Sequence, residues 1–279
     1  MSAWSPSAPY SPFILRPLRP EAIDLYVAAF LARCDAMQGP AQPKVDGLGV
    51  RGLLAGDEDP RIRLLVTDDR AYDVLAGLLA DARAGMLSIF GAAARCAQLA
   101  ARHLGWTSDV VTAMVCRDLR ALSAVSLPSE LTVRPVQRLA DDEPGGVSLE
   151  DAVAAAISAA PAIKDPPPVF AEYLRSLPSP FRLFAAVDRD GVIRATSGCG
   201  VFGQYATVIF VNTELGWRGR GIGQAMTAQA LRAAQRSGAK QACLDASAAG
   251  ASIYRRLGFE TAGTLTRFLN TVADRSSAR

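Results

Sequence analysis

Hydrophobic and polar positions alternate between two periods over the C-terminal half of the chain. Leu131 to Val136 alternates as an edge strand does, and Leu149 to Ala160 is Ala-rich with helical spacing. Asp165-Pro166-Pro167-Pro168 breaks the chain, and Val169 to Leu177 reads as a second helix. Phe181 to Val187 and Val192 to Val201 are predicted strands joined by a turn at Asp188 to Gly191. Phe202-Gly203-Gln204 is another turn, and Tyr205 to Thr213 is the strand that follows it. Ile222 to Ser237 carries Ile222, Met226, Ala230 and Ala233 at helical spacing. Lys240 to Asp245 is a short strand, Ser247 is a candidate cap for the next helix, and Thr264 to Leu269 is a last strand. The predicted order is β-α-α-β-β-β-α-β-α-β.

A shorter version of this pattern precedes it. Ile62 to Thr67 is strand-like, Ala71 to Ala82 helical, Met86 to Phe90 strand-like and Ala92 to Leu104 helical. Leu104-Gly105-Trp106 then leads into a β-rich run, Val110 to Val115, much as Leu257-Gly258-Phe259 leads into Thr264 to Leu269. Strand, helix, strand, helix, Leu-Gly-aromatic and strand thus occur twice, which reads as a tandem duplication. The alternative is an unrelated α/β domain that shares a common helix-stop motif. Leu-Pro-Ser near residues 126–130 separates the patterned regions. The expected division is a tail over residues 1–16, an N-terminal α/β domain over 17–126 and a C-terminal domain over 127–279. On that division a fragment starting near Glu130 carries the whole of the second pattern.

The chemistry concentrates between the strand ending at Thr213 and the helix starting at Ile222. Arg218-Gly219-Arg220-Gly221-Ile222-Gly223 makes a strand, a Gly-rich turn and a helix N-terminus, where backbone N–H groups and the helix dipole favour an anion. Gly221 and Gly223 let a ligand approach the backbone, and Arg218 and Arg220 add cationic forks suited to phosphate. The spacing is neither a dinucleotide fingerprint, because Gln224 stands where a third Gly is needed, nor a Walker A loop, because Ile222 follows Gly221. What remains is R-x-x-G-x-G after a strand. It resembles the pyrophosphate-binding signature of the GNAT superfamily, the acyl-CoA-dependent N-acyltransferases. Gly250 to Phe259 resembles the later GNAT motif, in which a helix carrying a Tyr ends at Leu-Gly-Phe. Gly258 matches the helix stop.

This resemblance implies an α/β fold with a mixed sheet: a GNAT fold in the C-terminal half and a degenerate GNAT-like domain in the N-terminal half. It implies an N-acetyltransferase that moves an acetyl group from acetyl-CoA, as co-substrate, to a primary amine by direct attack in a ternary complex. The pantetheine arm falls by position on Val211, Asn212 and Thr213, and the pyrophosphate on Arg218, Gly219, Arg220, Gly221, Ile222, Gly223 and Gln224. Ser247 stands where many members have an Asn on the cofactor arm. Tyr254 is the candidate catalytic acid for the departing thiolate, with a packed core ring as the competing role. No acid and no His lies between Tyr205 and Thr213, so the general base is open, with a water relay, Glu150, Asp151 or Glu172 as candidates. His103, the single histidine, falls in the other half. There, Asp68-Asp69-Arg70 replaces the glycine loop and Ala101 stands in the place of Tyr254. The runner-up functions are a non-catalytic acyl-CoA-binding regulator and a nucleotide-binding protein with a chance loop.

Composition narrows this further. The chain has 279 residues, half of them hydrophobic, and a net charge of +3 with dispersed Arg. This points to two domains and away from nucleic acid. Cys34, Cys96, Cys116, Cys199 and Cys243 lie too far apart for a zinc or redox motif, so reduced thiols and no metal are expected. Met1 to Pro20 lacks signal-peptide features and no apolar run is long enough to span a bilayer, so a cytoplasmic protein without membrane contact is the expectation. The expected partner is a small-molecule or peptide amine; a homodimer is left open.

Overall fold

A computed structural model describes residues 20–37, 42–55, 61–82, 84–137, 145–159, 171, 174–175 and 181–270. The helix expected over Val169 to Leu177 and the break at Asp165 to Pro168 fall wholly or largely outside the described residues. The first helix, α1 (Pro20–Met37), precedes the hairpin β1 (Lys44–Gly47) and β2 (Val50–Leu53). Then come β3 (Arg61–Val66), α2 (Tyr72–Asp81), β4 (Ala84–Phe90), α3 (Ala94–His103) and β5 (Thr107–Cys116). The second half runs β6 (Thr132–Gln137), β7 (Val147–Ser148), α4 (Leu149–Ala159), β8 (Phe181–Val187), β9 (Ile193–Phe202), β10 (Tyr205–Thr213), α5 (Ile222–Arg236), β11 (Gln241–Ala246), α6 (Ala251–Arg256) and β12 (Glu260–Asn270). These elements match the predicted strands and helices to within a few residues. The sequence reading missed α1, β1, β2 and the two-residue β7.

All the strands among the described residues join one 12-stranded sheet in the order β1-β2-β3-β4-β12-β5-β11-β10-β9-β8-β6-β7. Its centre is symmetric. The parallel pair β3/β4 is followed by β12, and the parallel pair β10/β11 is followed by β5. Each half gives its last strand to the other, and the two exchanged strands pair antiparallel from Glu260↔Val115 to Leu269↔Thr107. The strands and helices from β1 to β5 therefore repeat those from β8 to β12 in order and in place, as a duplication with exchanged last strands would produce.

Two layers of helices cover the sheet. On β11, Ala242 and Leu244 join the core under α5 and α6, while Cys243 faces the other way. On β4, Leu87 and Ile89 pack under α2 and α3, and Phe90 packs under α1. So α2, α3, α5 and α6 share one face, and α1 shares the opposite face with α4. Helix α1 lies over the exchanged strands, with Ala22, Tyr26, Phe30 and Cys34 buried against Val111, Ala113, Ala262 and Leu265. That burial ties the two halves into one core.

Candidate active site

The site begins with a fault in the sheet. Strands β10 and β11 pair only over Tyr205↔Gln241, Ala206↔Ala242 and Thr207↔Cys243, and then part. On its other edge β10 stays paired with β9 but carries a bulge between Ile209 and Asn212. Phe210 sits in the bulge at φ 60, a left-handed conformation that a non-Gly residue rarely adopts, and its carbonyl accepts the Thr196 hydroxyl at 2.8 Å. The bulge bends β10 away from β11. A gap opens, and on the α5/α6 face Val208, Val211, Leu244 and Ile253 belong to one apolar cluster.

Strand β10 then runs through the Leu215–Trp217 turn into the glycine loop. Gly221 closes that loop at φ 76 as the N-cap of α5, and no side chain caps the helix. The first intrahelical bond runs from Ala225 N–H to the Gly221 carbonyl at 3.0 Å. The N–H groups of Ile222, Gly223 and Gln224 consequently face outward with no acceptor in the helix, in a position to receive an anion. Gly223 is close-packed: a Cβ there would sit 3.4 Å from Thr213 Oγ1 and 3.7 Å from Ile253 Cδ1. The end of β10, the start of α5 and α6 thus meet around Gly223.

Three comparisons bear on this geometry. Residues 179–261 match the model of the acetyltransferase (GNAT) domain. The C-terminal half carries a GNAT domain. No curated protein matches the chain. Among solved structures, a GCN5-related N-acetyltransferase from Kribbella flavida is 22% identical, with 89% of this chain and 95% of that one covered and a TM-score of 0.56. One from Sphaerobacter thermophilus is 17% identical over 88% and 91% of the two chains, with a TM-score of 0.51. A GCN5-related N-acetyltransferase-like protein from Streptococcus suis is 13% identical over 90% and 99%, also at 0.51. At these identities the likeness is one of fold, and it extends over both halves of the chain.

Within the GNAT domain, Tyr254 lies on α6 beside the gap. It is 8% exposed and packs edge-on against Phe259, with ring centroids 6.1 Å apart. Burial pushes its phenol up to about 12, and its hydroxyl has no hydrogen-bond partner among the described residues. The group therefore keeps its proton at neutral pH and is a donor rather than a base. Ser247 does not cap α6. Gly250 holds that position, and the Ser247 hydroxyl instead accepts the Gly250 N–H at 3.2 Å in the preceding turn. Gly258 takes φ 95 after the helix, as the stop motif requires.

The arginines are more occupied than the sequence suggests. Arg218 donates from Nε to the Thr213 carbonyl at 3.0 Å and from Nη2 to the Ala159 carbonyl, so it fastens β10 to α4. Arg220 pairs with Glu130 and stacks over Trp217 at 4.4 Å. Beside it Arg194 is held by Asp188 at 2.7 Å and Glu214 at 2.6 Å. Gln224 is within 3.4 Å of Arg256 on α6. Of the acids considered as a base, Glu150 pairs with Arg175, and Asp151 accepts the Ser148 hydroxyl at 2.7 Å, both on an exposed helix end. Glu172 lies outside the described residues, and His103 is exposed at the end of α3 in the other half. One carboxylate at the gap escaped the sequence reading. Asp245 ends the short strand expected over Lys240 to Asp245, and nothing local marks it as facing α1.

Proposed function

We propose that the GNAT domain transfers an acetyl group from acetyl-CoA to a primary amine while both substrates are bound. One observation carries this reading: the gap beyond Thr207 and Cys243 leads directly to the uncapped start of α5, with Tyr254 at its side. The N–H groups of Ile222, Gly223 and Gln224 would hold the pyrophosphate. The edge of β10 over Val211, Asn212 and Thr213, released from β11, would pair with the amide-bearing arm. A β10 N–H at the bulge would polarise the thioester carbonyl. The protein's main contribution is orientation of amine against thioester. In the transfer, the N–C bond forms and the C–S bond breaks. The amine's proton passes to a water relay, the thiolate takes a proton from Tyr254, and solvent returns one to the phenolate.

The first test is acetyl-CoA binding by the full chain, followed by thiol release with a panel of amines. Saturable release that depends on the amine supports transfer. A second reading, a non-catalytic acyl-CoA binder, draws on the lack of any acid or His along Tyr205 to Thr213. It predicts binding without thiol release from any amine.

A further inference from the structure

The gap opens on both faces of the sheet. Helix α5 and its anion site lie on one face, so an acyl chain threaded through the gap presents its thioester toward the α1 face. Strand β11 turns Cys243 and Asp245 to that face. Cys243 is paired with Thr207; Asp245, two residues on, is the first α1-facing residue past the pairing. Its carboxylate accepts the Tyr26 hydroxyl at 2.6 Å and Arg267 Nη1 at 3.4 Å, and its side chain keeps 16% of its surface. Arg267 is itself committed to Asp109, with Nε at 3.0 Å. Two donors leave the Asp245 carboxylate with acceptor capacity to spare. Burial, then the charge of Asp245, holds the Tyr26 phenol well above its ordinary range, so it stays a fixed donor.

Arg33 lies seven residues along α1 from Tyr26, two turns further on the same stripe. Its guanidinium stacks over Phe30 at 5.3 Å, and no described residue accepts a hydrogen bond from it. The groups whose charges bear on it are Tyr26, Cys34, Cys243 and Asp245. Burial pushes both thiols up to about 11, so they and the phenol are neutral at pH 7. Asp245 is the one anion among them. A half-buried guanidinium without an acceptor is a costly arrangement that a bound carboxylate would relieve. Ala32 and Met37 of α1 and Ile209 and Phe210 of β10 border one apolar cluster on this face.

We propose that the acceptor subsite lies on the α1 side of the gap. Asp245 receives the amine, Arg33 binds a carboxylate on the same molecule, and the acceptor is a small zwitterion of the amino-acid class. This rests on the acetyl-transfer reading above. It also gives the N-terminal half a part in the site, since Tyr26 and Arg33 both come from α1.

The test uses the full chain, acetyl-CoA and a panel of free amino acids, each beside its carboxamide. The amide keeps the amine and side chain but lacks the carboxylate, and its amine is the less basic of the two. The wild-type protein should favour at least one amino acid over its amide by about tenfold or more in kcat/KM, the scale of a charged hydrogen bond. Arg33→Met should bring that ratio toward one with acetyl-CoA affinity unchanged, and Arg33→Lys should keep part of it. Asp245→Asn should lower turnover of acid and amide alike. The subsite is refuted if wild-type protein acetylates amines with no preference for the carboxylate, or if the preference survives Arg33→Met. The wild-type ratio decides even where a variant fails to fold. No acetyl-CoA binding and no thiol release would remove the transfer reading itself, and this subsite with it.

Discussion

The two halves start from the same layout and differ at one place, the exit of the third strand. In the N-terminal half β3 stays in register with β4 from Arg61↔Ala84 to Val66↔Ile89, and no gap opens. Its loop then satisfies itself. Asp68 accepts the Arg70 N–H at 3.0 Å and the Arg70 guanidinium at 2.8 Å. Asp69 reaches across to the Cys96 N–H at 3.0 Å, at the first turn of α3. Asp68 thus sets a carboxylate of the chain in the turn that leads into α2, the counterpart of α5. In the C-terminal half β10 leaves β11 after Thr207, and the loop ends at an uncapped helix. The proposed binding site would arise here from what the chain leaves undone: backbone groups unpaired at a strand edge and a helix start. The closed half forgoes that and contributes a strand and helix α1 to the other's core.

The largest expected effect would break the comparison by separating the halves. A fragment starting near Glu130 lacks β5, the strand that lies between β11 and β12, and lacks α1, which covers them. Both edges of β12, one edge of β11 and an apolar face would be exposed. We expect the fragment to show no cooperative unfolding and no stabilisation by acetyl-CoA, while the full chain gains about 2.7 kcal/mol at a hundredfold excess over Kd. A cooperatively folded fragment that responds to acetyl-CoA would show the halves to be independent after all.

Mirror substitutions in the two loops come next. Gly223→Asp places a carboxylate at the N-terminus of α5, where a Cβ already meets Thr213 and Ile253. Gly221→Asp adds the strain of a side chain at φ 76. Each should weaken acetyl-CoA binding by about 100-fold or more, since repulsion replaces the attraction of the helix start. Asp69→Ala should leave that affinity unchanged and lower stability by about 1–2 kcal/mol, the cost of an unpaired N–H at a helix start. Calorimetric titration reads the first effect and urea unfolding the second. If Asp69→Ala weakens binding and the glycine variants do not, the roles of the halves are reversed.

Tyr254 and Ala101, its counterpart, make the third contrast. Tyr254→Phe keeps the ring against Phe259 and removes only the hydroxyl. Under the proposed acid role kcat should fall by roughly 100-fold with the KM for acetyl-CoA little changed. A folded variant with unchanged kcat, in a reaction limited by chemistry, would leave the residue as a packing ring.

Much of this contrast was legible in the sequence, because it is written in local chemistry. The glycines at 219, 221 and 223 against Asp68 and Asp69, and Leu257-Gly258-Phe259 against Leu104-Gly105-Trp106, place the loops and helix stops in order. What escaped was non-local. The exchange of β5 and β12 leaves no mark in either strand, since alternation fixes a strand's faces but not its neighbour. Helix α1 has apolar residues on most sides, because it packs on the central strands and also meets β10 and the core under α4, so its amphipathic signal is weak. The β1–β2 hairpin turns at Leu48-Gly49 with Leu48 at φ 49, where a Gly, Asn or Asp would have announced the turn. Asp245 went unread as a site residue because its partners, Tyr26 and Arg267, are distant in the chain.

The smallest effect concerns the clamp that keeps the N-terminal loop shut. The Arg70 guanidinium, with the Arg70 N–H, lowers the Asp68 carboxyl from 3.8 to about 2. A carboxyl with a depressed folded-state value adds stability above its unfolded value and loses it as the pH falls through the folded one. The contribution of Asp68 is therefore complete at pH 7, declines below about pH 4 and is gone near pH 2. Arg70 is 78% exposed, so solvent screening holds the effect to about 1 kcal/mol or less. Asp68→Asn keeps an acceptor for the Arg70 N–H and removes the charge. Urea unfolding at pH 7 should show the variant weaker by that amount, with the difference vanishing toward pH 2. The same titration should leave acetyl-CoA affinity at pH 7 equal in both proteins. A difference that persists unchanged at pH 2 would mean that Asp68 acts through shape rather than charge.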